Sequence, residues 1–416
     1  MRIHDFLDYQ AREHPDIPFA IQADRCVTYR EAQAEANRLA NALVDGGLQN
    51  GNRIAILAKN SIEYVLLYFA ASKAGVAPVP LNTRLAPTEW AYIIHDAEAR
   101  ALFAGPEFVA AIEGIRAELA TVKQFIALDA APAADWEEYR TWATASSTTA
   151  PPECTITEED DCYQMYTSGT TGRPKGAVLT HRAVGVYLQQ VDVSLRAALG
   201  ERWLLAVPAF HAVGAVVTFE CVATGGCLVI HADFNPVEVV RALSEEAIAI
   251  TMLVPAMIQA CLGVPESAQR RYPQLRAMLY GASPIAEPTL RRALAVFGCD
   301  FSQGYGMTEA CAGITLLTPA DHRRAVTDTP KLCLSAGRPC LGVEVRIVDT
   351  EDNPLPPGQT GEIVVRGPQL MRGYWKLPEA SAEALRSGWL HTGDAGAMDE
   401  EGYLYILDRV KDMIVT

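Results

Sequence analysis

Basic charge is what this 416-residue chain has least of: 35 Lys and Arg stand against 50 Asp and Glu, a formal net charge of −15. Only seven of those 35 cations are lysine. The deficit argues against a broad nucleic-acid or anionic-membrane surface, since such partners need basic patches. An anionic ligand must then be held by local groups. Paired cysteine spacing is also missing. The ten cysteines stand singly without C-x-x-C, and the eight histidines form no H-x-x-x-H, so zinc-site spacing is absent. Cys221, Cys227 and Cys261 sit in apolar contexts, as expected of reduced core thiols in a reducing cytoplasm. No long uninterrupted apolar run exists. The longest charge-poor stretch, 204–230, is broken by Pro208, His211 and Glu220 and reads as buried core rather than a transmembrane segment. The N-terminus mixes charges and lacks an apolar h-region, so no signal peptide is expected. A soluble cytoplasmic protein is the expectation.

What is present is strand–helix alternation. Thr28-x-x-Glu31 is a capping box opening a helix that Gly46-Gly47 closes. RIAILA (53–58) predicts a strand, and 61–73 a helix apolar around most of its circumference, placed between layers. Further strands and helices follow through ALFAG, PEFVAAIEGIRAEL and KQFIAL. Such spacing predicts parallel sheet with helices on both faces. Residues 130–155, rich in Ala, Pro, Ser and Thr, predict an exposed connection with a short helix from Trp136 to Trp142. Alternation resumes from 157, and beyond 335 short strands and turns predict a small β subdomain. The expected division is a first α/β part over about 1–155, a second over 156–330, and β structure over 331–407.

The most distinctive stretch is YTSGTTGRPKG, 166–176. Gly169, Gly172 and Gly176 let the backbone fold closely round a ligand. Thr167, Ser168, Thr170 and Thr171 offer hydroxyls, and Lys175 supplies a point charge. These are the groups a polyphosphate needs. A Walker loop is excluded, because Pro174 stands where its second glycine must be and a strand rather than a helix follows. The competing reading is a flexible linker. Downstream come PAFHAVG (208–214), with Phe210, His211 and Gly214; GASP (281–284), with Gly281, Ala282 and Ser283; and QGYGMTE (303–309), with Gln303, Gly304, Tyr305, Gly306, Met307, Thr308 and Glu309. GASP and QGYGMTE are Gly-containing turns after apolar strands, where open α/β sheets bind ligands. GWLHTGDAG (388–396) sets Asp394 in a tight turn, and DRVKDMI (408–414) contains Arg409 and Lys411.

These six segments, in this order, resemble the adenylate-forming superfamily of acyl- and aryl-CoA synthetases, peptide-synthetase adenylation domains and firefly-type luciferases. The resemblance covers essentially the whole chain and implies two doubly wound sheets plus a β subdomain. It implies that a carboxylic acid is activated by ATP and Mg²⁺ to acyl-AMP and then passed to CoA. On this resemblance the 167–176 loop, including Lys175, holds phosphates. Gly281, Ala282 and Ser283, with the run from Gln303 to Thr308, surround the adenine, Tyr305 stacking on it and Thr308 facing the α-phosphate. Asp394 and Arg409 meet the ribose, Thr167 and Glu309 hold the metal, and Lys411 lies at an interdomain hinge. Lys175, Thr308, Glu309 and His211 are the implied catalytic residues. Phe210, His211, Gly214, Gly281, Gly306, Ala310 and Cys311 are the implied acid-site residues. The GEIVVRGPQLMRGYW segment (361–375) matches too but reads as structural.

Family members continue past the hinge into a small domain carrying the lysine that bridges carboxylate and α-phosphate. With 408–416 read as a hinge remnant, that domain is expected to be absent here and activity impaired. Transfer to an amine or a carrier-protein thiol, a luciferase-like oxygenase, and a silent nucleotide-binding module are the alternatives; homodimerisation is left open. Peptide-synthetase domains carry an aspartate just after the gate aromatic to hold an α-amine, whereas here His211, Ala212, Val213, Gly214 and Ala215 follow Phe210. Phenylalanine and leucine should therefore be activated less well than their des-amino counterparts. Pyrophosphate release on each pair checks this, and preference for either amino acid would overturn it.

Overall fold

The computed structural model describes residues 1–129, 135–151, 156–167 and 172–409. Its first sheet has five strands, all parallel: Arg53–Leu57, Ala77–Pro80, Ala101–Ala104, Gln124–Ala127 and Glu137–Glu138. The helix Ile62–Ala74 is buried on nearly every side, as its apolar circumference requires. Ser61 caps it by accepting the Tyr64 N–H at 3.0 Å. Thr28 and Glu31 form the expected capping box ahead of Tyr29–Asp45, the Thr28 N–H donating to Glu31 Oε2 at 2.8 Å. Near 136–142 the expectation needs adjustment, because a two-residue strand precedes a helix at Tyr139–Thr144.

The second sheet has nine strands. Its centre is parallel, running Asp300–Tyr305, Ala277–Gly281, Ile248–Leu253, Arg202–Leu205, Cys227–Ile230 and Pro18–Gln22 in spatial order. Antiparallel strands close both edges. Pro18–Gln22 and Arg25–Thr28 come from the N-terminal region, so the sheets do not respect a division at residue 155. The physical reason is the parallel register of Ala20 with Leu228, which fills an edge the later strands leave open.

Two smaller sheets complete the fold. The β tail is antiparallel, with strands Glu344–Val348, Gly361–Arg366, Leu390–Met398 and Leu404–Arg409. The phosphate-loop candidate joins Asp161–Thr167 to Lys175–Thr180 in an antiparallel hairpin, with Gly373–Tyr374 added to its other side. This hairpin stands apart from the nine-stranded sheet, whereas strand–helix alternation alone would merge them. Among the described residues no helix is long and apolar enough to cross a membrane.

Gly214 shows how tightly the strand exits are packed. A Cβ there would come within 2.2 Å of the Pro208 carbonyl oxygen, a backbone atom with little room to retreat. Gly214→Ala should cost about 1–3 kcal/mol of stability. Thermal or urea unfolding reads this directly, and an unchanged midpoint would show that the 208–214 turn is slack.

Candidate active site

The parallel strands Arg202–Leu205, Ile248–Leu253, Ala277–Gly281 and Asp300–Tyr305 all end on one side of the large sheet. Their carboxyl ends border a cavity of about 400 Å³, the place where open α/β sheets bind ligands. Gly281 lies opposite Gly304 in the register. A Cβ on Gly281 would meet the Gly304 carbonyl at 2.4 Å, so the two turns touch through bare backbone. Next to them Ala282 (φ 66°) and Ala312 (φ 76°) occupy the left-handed region without being glycine. Both line the cavity, where backbone strain of this kind tends to gather.

Two helices form the walls. Ala212–Ala223 contributes Val213, Val216, Val217 and Glu220, spaced i, i+3, i+4, i+7 on one face. His181–Leu195 contributes Tyr187, Gln190, Val191 and Ser194 with the same spacing. At the accessible end stand Arg84 and His211. His211 keeps an exposed ring, yet the protein packed around it and then Arg84 push its pKa below the ordinary value, which leaves it neutral near pH 7.

Beside the cavity three chain segments converge on one carboxylate. Glu309, in the short turn Thr308–Ala310, is 4% exposed. Thr167 Oγ1 donates to its Oε1 at 3.3 Å and the Tyr374 hydroxyl donates to the same oxygen at 2.9 Å. The Met371 N–H holds the Glu309 backbone carbonyl at 2.7 Å. Lys175 Nζ lies 5.1 Å from the centre of the Tyr374 ring. Burial and then Glu309 push the Tyr374 hydroxyl pKa up, so it stays a donor. Hydroxyl, carboxylate and ammonium are thereby gathered at one spot.

A second cluster joins the large sheet to the β tail. The Tyr305 hydroxyl donates to Asp394 Oδ2 at 2.7 Å, and Arg409 Nε pairs with Asp394 Oδ1 at 2.9 Å. Thr392 Oγ1 accepts the Asp394 N–H at 3.1 Å, which fixes the turn. Burial, then Asp394, raise the Tyr305 pKa.

Of the sequence-derived candidates, His211, Gly281, Ala282, Gly304, Gly306, Met307 and Thr308 line the cavity. Phe210, Gly214, Ala310 and Cys311 are placed outside that lining. Phe210 is buried against the His211 ring, 4.6 Å between centroids, and Ala310 and Cys311 are fully buried. Gly214 packs on Pro208 backbone instead. Their neighbours Ala212, Val213, Ala312 and Gly313 supply the wall. Gln303 faces the other way, accepting from the Tyr280 hydroxyl at 3.2 Å, and Ser283 is exposed away from the cavity. Gly172 is exposed, with φ 120°. Ser168, Gly169, Thr170, Thr171 and Lys411 lie outside the described residues.

Sequence reasoning missed Tyr374, Arg84 and the wall of helix His181–Leu195. Tyr374 lay within the segment read as structural, and only its pairing beside Ala177 brings the hydroxyl to Glu309. The helix wall did carry a signal, the i, i+3, i+4, i+7 spacing of Tyr187, Gln190, Val191 and Ser194.

A family model described as AMP-binding enzyme matches residues 7–375. A feruloyl-CoA synthase from Amycolatopsis sp. is 37% identical over 410 residues, covering 98% of this chain and 78% of that protein. A fatty acid–[acyl-carrier-protein] ligase, ScoC, from Streptomyces coeruleorubidus is 35% identical over 411 residues, covering 98% and 77%. Among solved structures, the inhibitor-bound N-terminal domain of FACL13 from Mycobacterium tuberculosis superposes with a TM-score of 0.90 at 31% identity, covering 98% of this chain and 99% of that one.

Asp394 is the common partner of Tyr305 and Arg409, so its removal tests whether this cluster seats nucleotide. Asp394→Ala should weaken ATP binding by about 1.5–3 kcal/mol, the scale of a hydrogen bond to a charged group. Calorimetry showing unaltered affinity in a folded variant would remove the residue from the site.

Proposed function

Because this chain belongs to the AMP-binding enzyme family and is an AMP-forming ligase, we propose that it activates a largely hydrophobic carboxylic acid, fatty or aryl, as the acyl-adenylate and passes the acyl group to CoA. The observation that carries this reading is the cavity itself. It is walled by Val213, Val216, Val217, Val191 and Leu195, and its lining residue Thr308 leads directly into Glu309, which Thr167 and Tyr374 hold. A carboxylate oxygen of the acid attacks the α-phosphorus of ATP; that P–O bond forms as the bond to pyrophosphate breaks.

The residues contribute position and charge, with no covalent nucleophile required. The bare backbone at Gly281 and Gly304 gives a planar base a close approach. Tyr305, Asp394 and Arg409 offer a ribose a carboxylate already oriented by two partners. Lys175 and the Thr167 hydroxyl meet phosphate oxygens. Thr308, at the cavity edge, faces the position where the carboxylate and α-phosphate meet. Neutral His211 offers the acid a hydrogen bond without a competing charge.

Magnesium fits the donors present. Thr167 and Glu309 are two adjacent hard oxygen ligands, and Mg²⁺ commonly takes one or two protein oxygens and shares the rest of its shell with phosphate and water. Bound there it would neutralise phosphate charge. Among the described residues no cluster of three or more His, Cys, Asp or Glu competes for it.

Transfer to a carrier-protein thiol is a second reading, favoured by the likeness to the acyl-carrier-protein ligase. Homodimerisation and a cytoplasmic site of action belong to the same proposal. Acid-dependent pyrophosphate release from ATP, measured across straight-chain and aryl acids, should occur, and thioester should follow on adding CoA. Release that ignores the acid would sink the proposal; thioester forming only on a carrier protein would select the second reading.

A further inference from the structure

One side chain in the cavity wall has no part in adenylate chemistry. Glu220 lies two turns into the helix Ala212–Ala223, on the face shared with Val213, Val216 and Val217. It is 1% exposed, and neither carboxylate oxygen has a hydrogen-bond partner among the described residues. Burial, reinforced by Asp192, pushes its pKa well above the carboxylate range, so it stands as a neutral acid with one donor and spare acceptors.

Two more unpartnered groups line the same cavity. Gln190 donates its amide N–H to the Leu341 carbonyl at 2.7 Å, but its Oε1 is unpaired. The Trp203 indole N–H is unpaired as well. Buried polar groups are almost always satisfied. Three unsatisfied ones along a single, mostly apolar cavity ask for a partner that the ligand brings. Glu220 stands nine residues beyond His211, roughly 13 Å along the helix at 1.5 Å per residue. The reacting carboxyl belongs near the other end, beside His211 and Gly306.

We propose that Glu220, Gln190 and Trp203 form a subsite for a hydroxyl at the far end of the substrate, so that the preferred acid carries a distal alcohol or phenol on the order of 10 Å from its carboxyl. This rests on the acid-activating reading of the cavity. A hydroxyl both donates and accepts, so it can satisfy Gln190 Oε1, the Trp203 N–H and the Glu220 carboxyl together. An ammonium only donates; it would leave the Trp203 N–H unpaired and bury a charge. A plain hydrocarbon tail leaves all three unpaired, which a polar subsite rejects strongly.

The test is the affinity of the chain for matched non-hydrolysable acyl-sulfamoyl adenosines: para-hydroxycinnamoyl against cinnamoyl, and ω-hydroxyoctanoyl against octanoyl. At least one hydroxylated member should bind about tenfold tighter or better than its plain partner. In Glu220→Met that preference should vanish, with affinity for the plain analogue kept or raised. Should Glu220→Met not fold, Gln190→Met decides by the same criterion of a reduced preference. Equal affinities within both pairs, a preference untouched by the substitution, or tighter binding of the ω-aminooctanoyl analogue would each overturn the subsite while leaving acid activation standing. Failure of every analogue to bind would overturn both.

Discussion

The parallel register that sets Gly281 opposite Gly304 is the constraint on which the site depends. With no Cβ between them, the turns after Ala277–Gly281 and Asp300–Tyr305 come into backbone contact. The second turn then leads through Thr308 into Glu309, and Tyr305 points its hydroxyl at Asp394. Any side chain at 281 would pry the strand ends apart and move both clusters. One backbone contact thus locates the cavity rim, the carboxylate and the link to the β tail.

Glu309 shows how the smaller sheets serve the larger one. Its partners arrive from the hairpin, through Thr167, and from the strand added to that hairpin, through Tyr374. The residue after Tyr374 holds the hairpin further. The Trp375 N–H donates to the Gly176 carbonyl at 2.7 Å, and the Arg53 guanidinium from the five-stranded sheet lies 3.6 Å from the centre of the Trp375 ring. Arg53 also pairs with Asp161 on the neighbouring strand, so both strands of the hairpin are anchored. Positions far apart in the chain are brought into register by β pairing rather than by local sequence.

The cavity walls rest on a different principle. Helices Ala212–Ala223 and His181–Leu195 each present an i, i+3, i+4, i+7 stripe, so the cavity runs lengthwise along them. Branched aliphatic side chains occupy most of one stripe, and Glu220 interrupts it two turns from His211. His211 and Glu220 are therefore separated along the cavity by helical rise.

Local chemistry was legible in the sequence wherever it depends on neighbours in the chain. The capping box at Thr28 and Glu31, the buried helix beginning after Ser61, the glycine turns at 281 and 304–306, and the strand ends that carry them all follow from spacing and composition. The pairing of Thr167 with Glu309, and of Asp394 with Arg409, was what the family resemblance of the ordered motifs implied. Tertiary pairing decided the rest. That Pro18–Gln22 joins the large sheet, that Phe210 and Cys311 are packed behind the cavity wall while Val213 and Ala312 face it, and that Tyr374 completes the Glu309 cluster are matters of register. A one-residue shift in a strand or turn reverses which side chain faces the ligand. Motifs name the neighbourhood, but only the packed chain chooses the atoms.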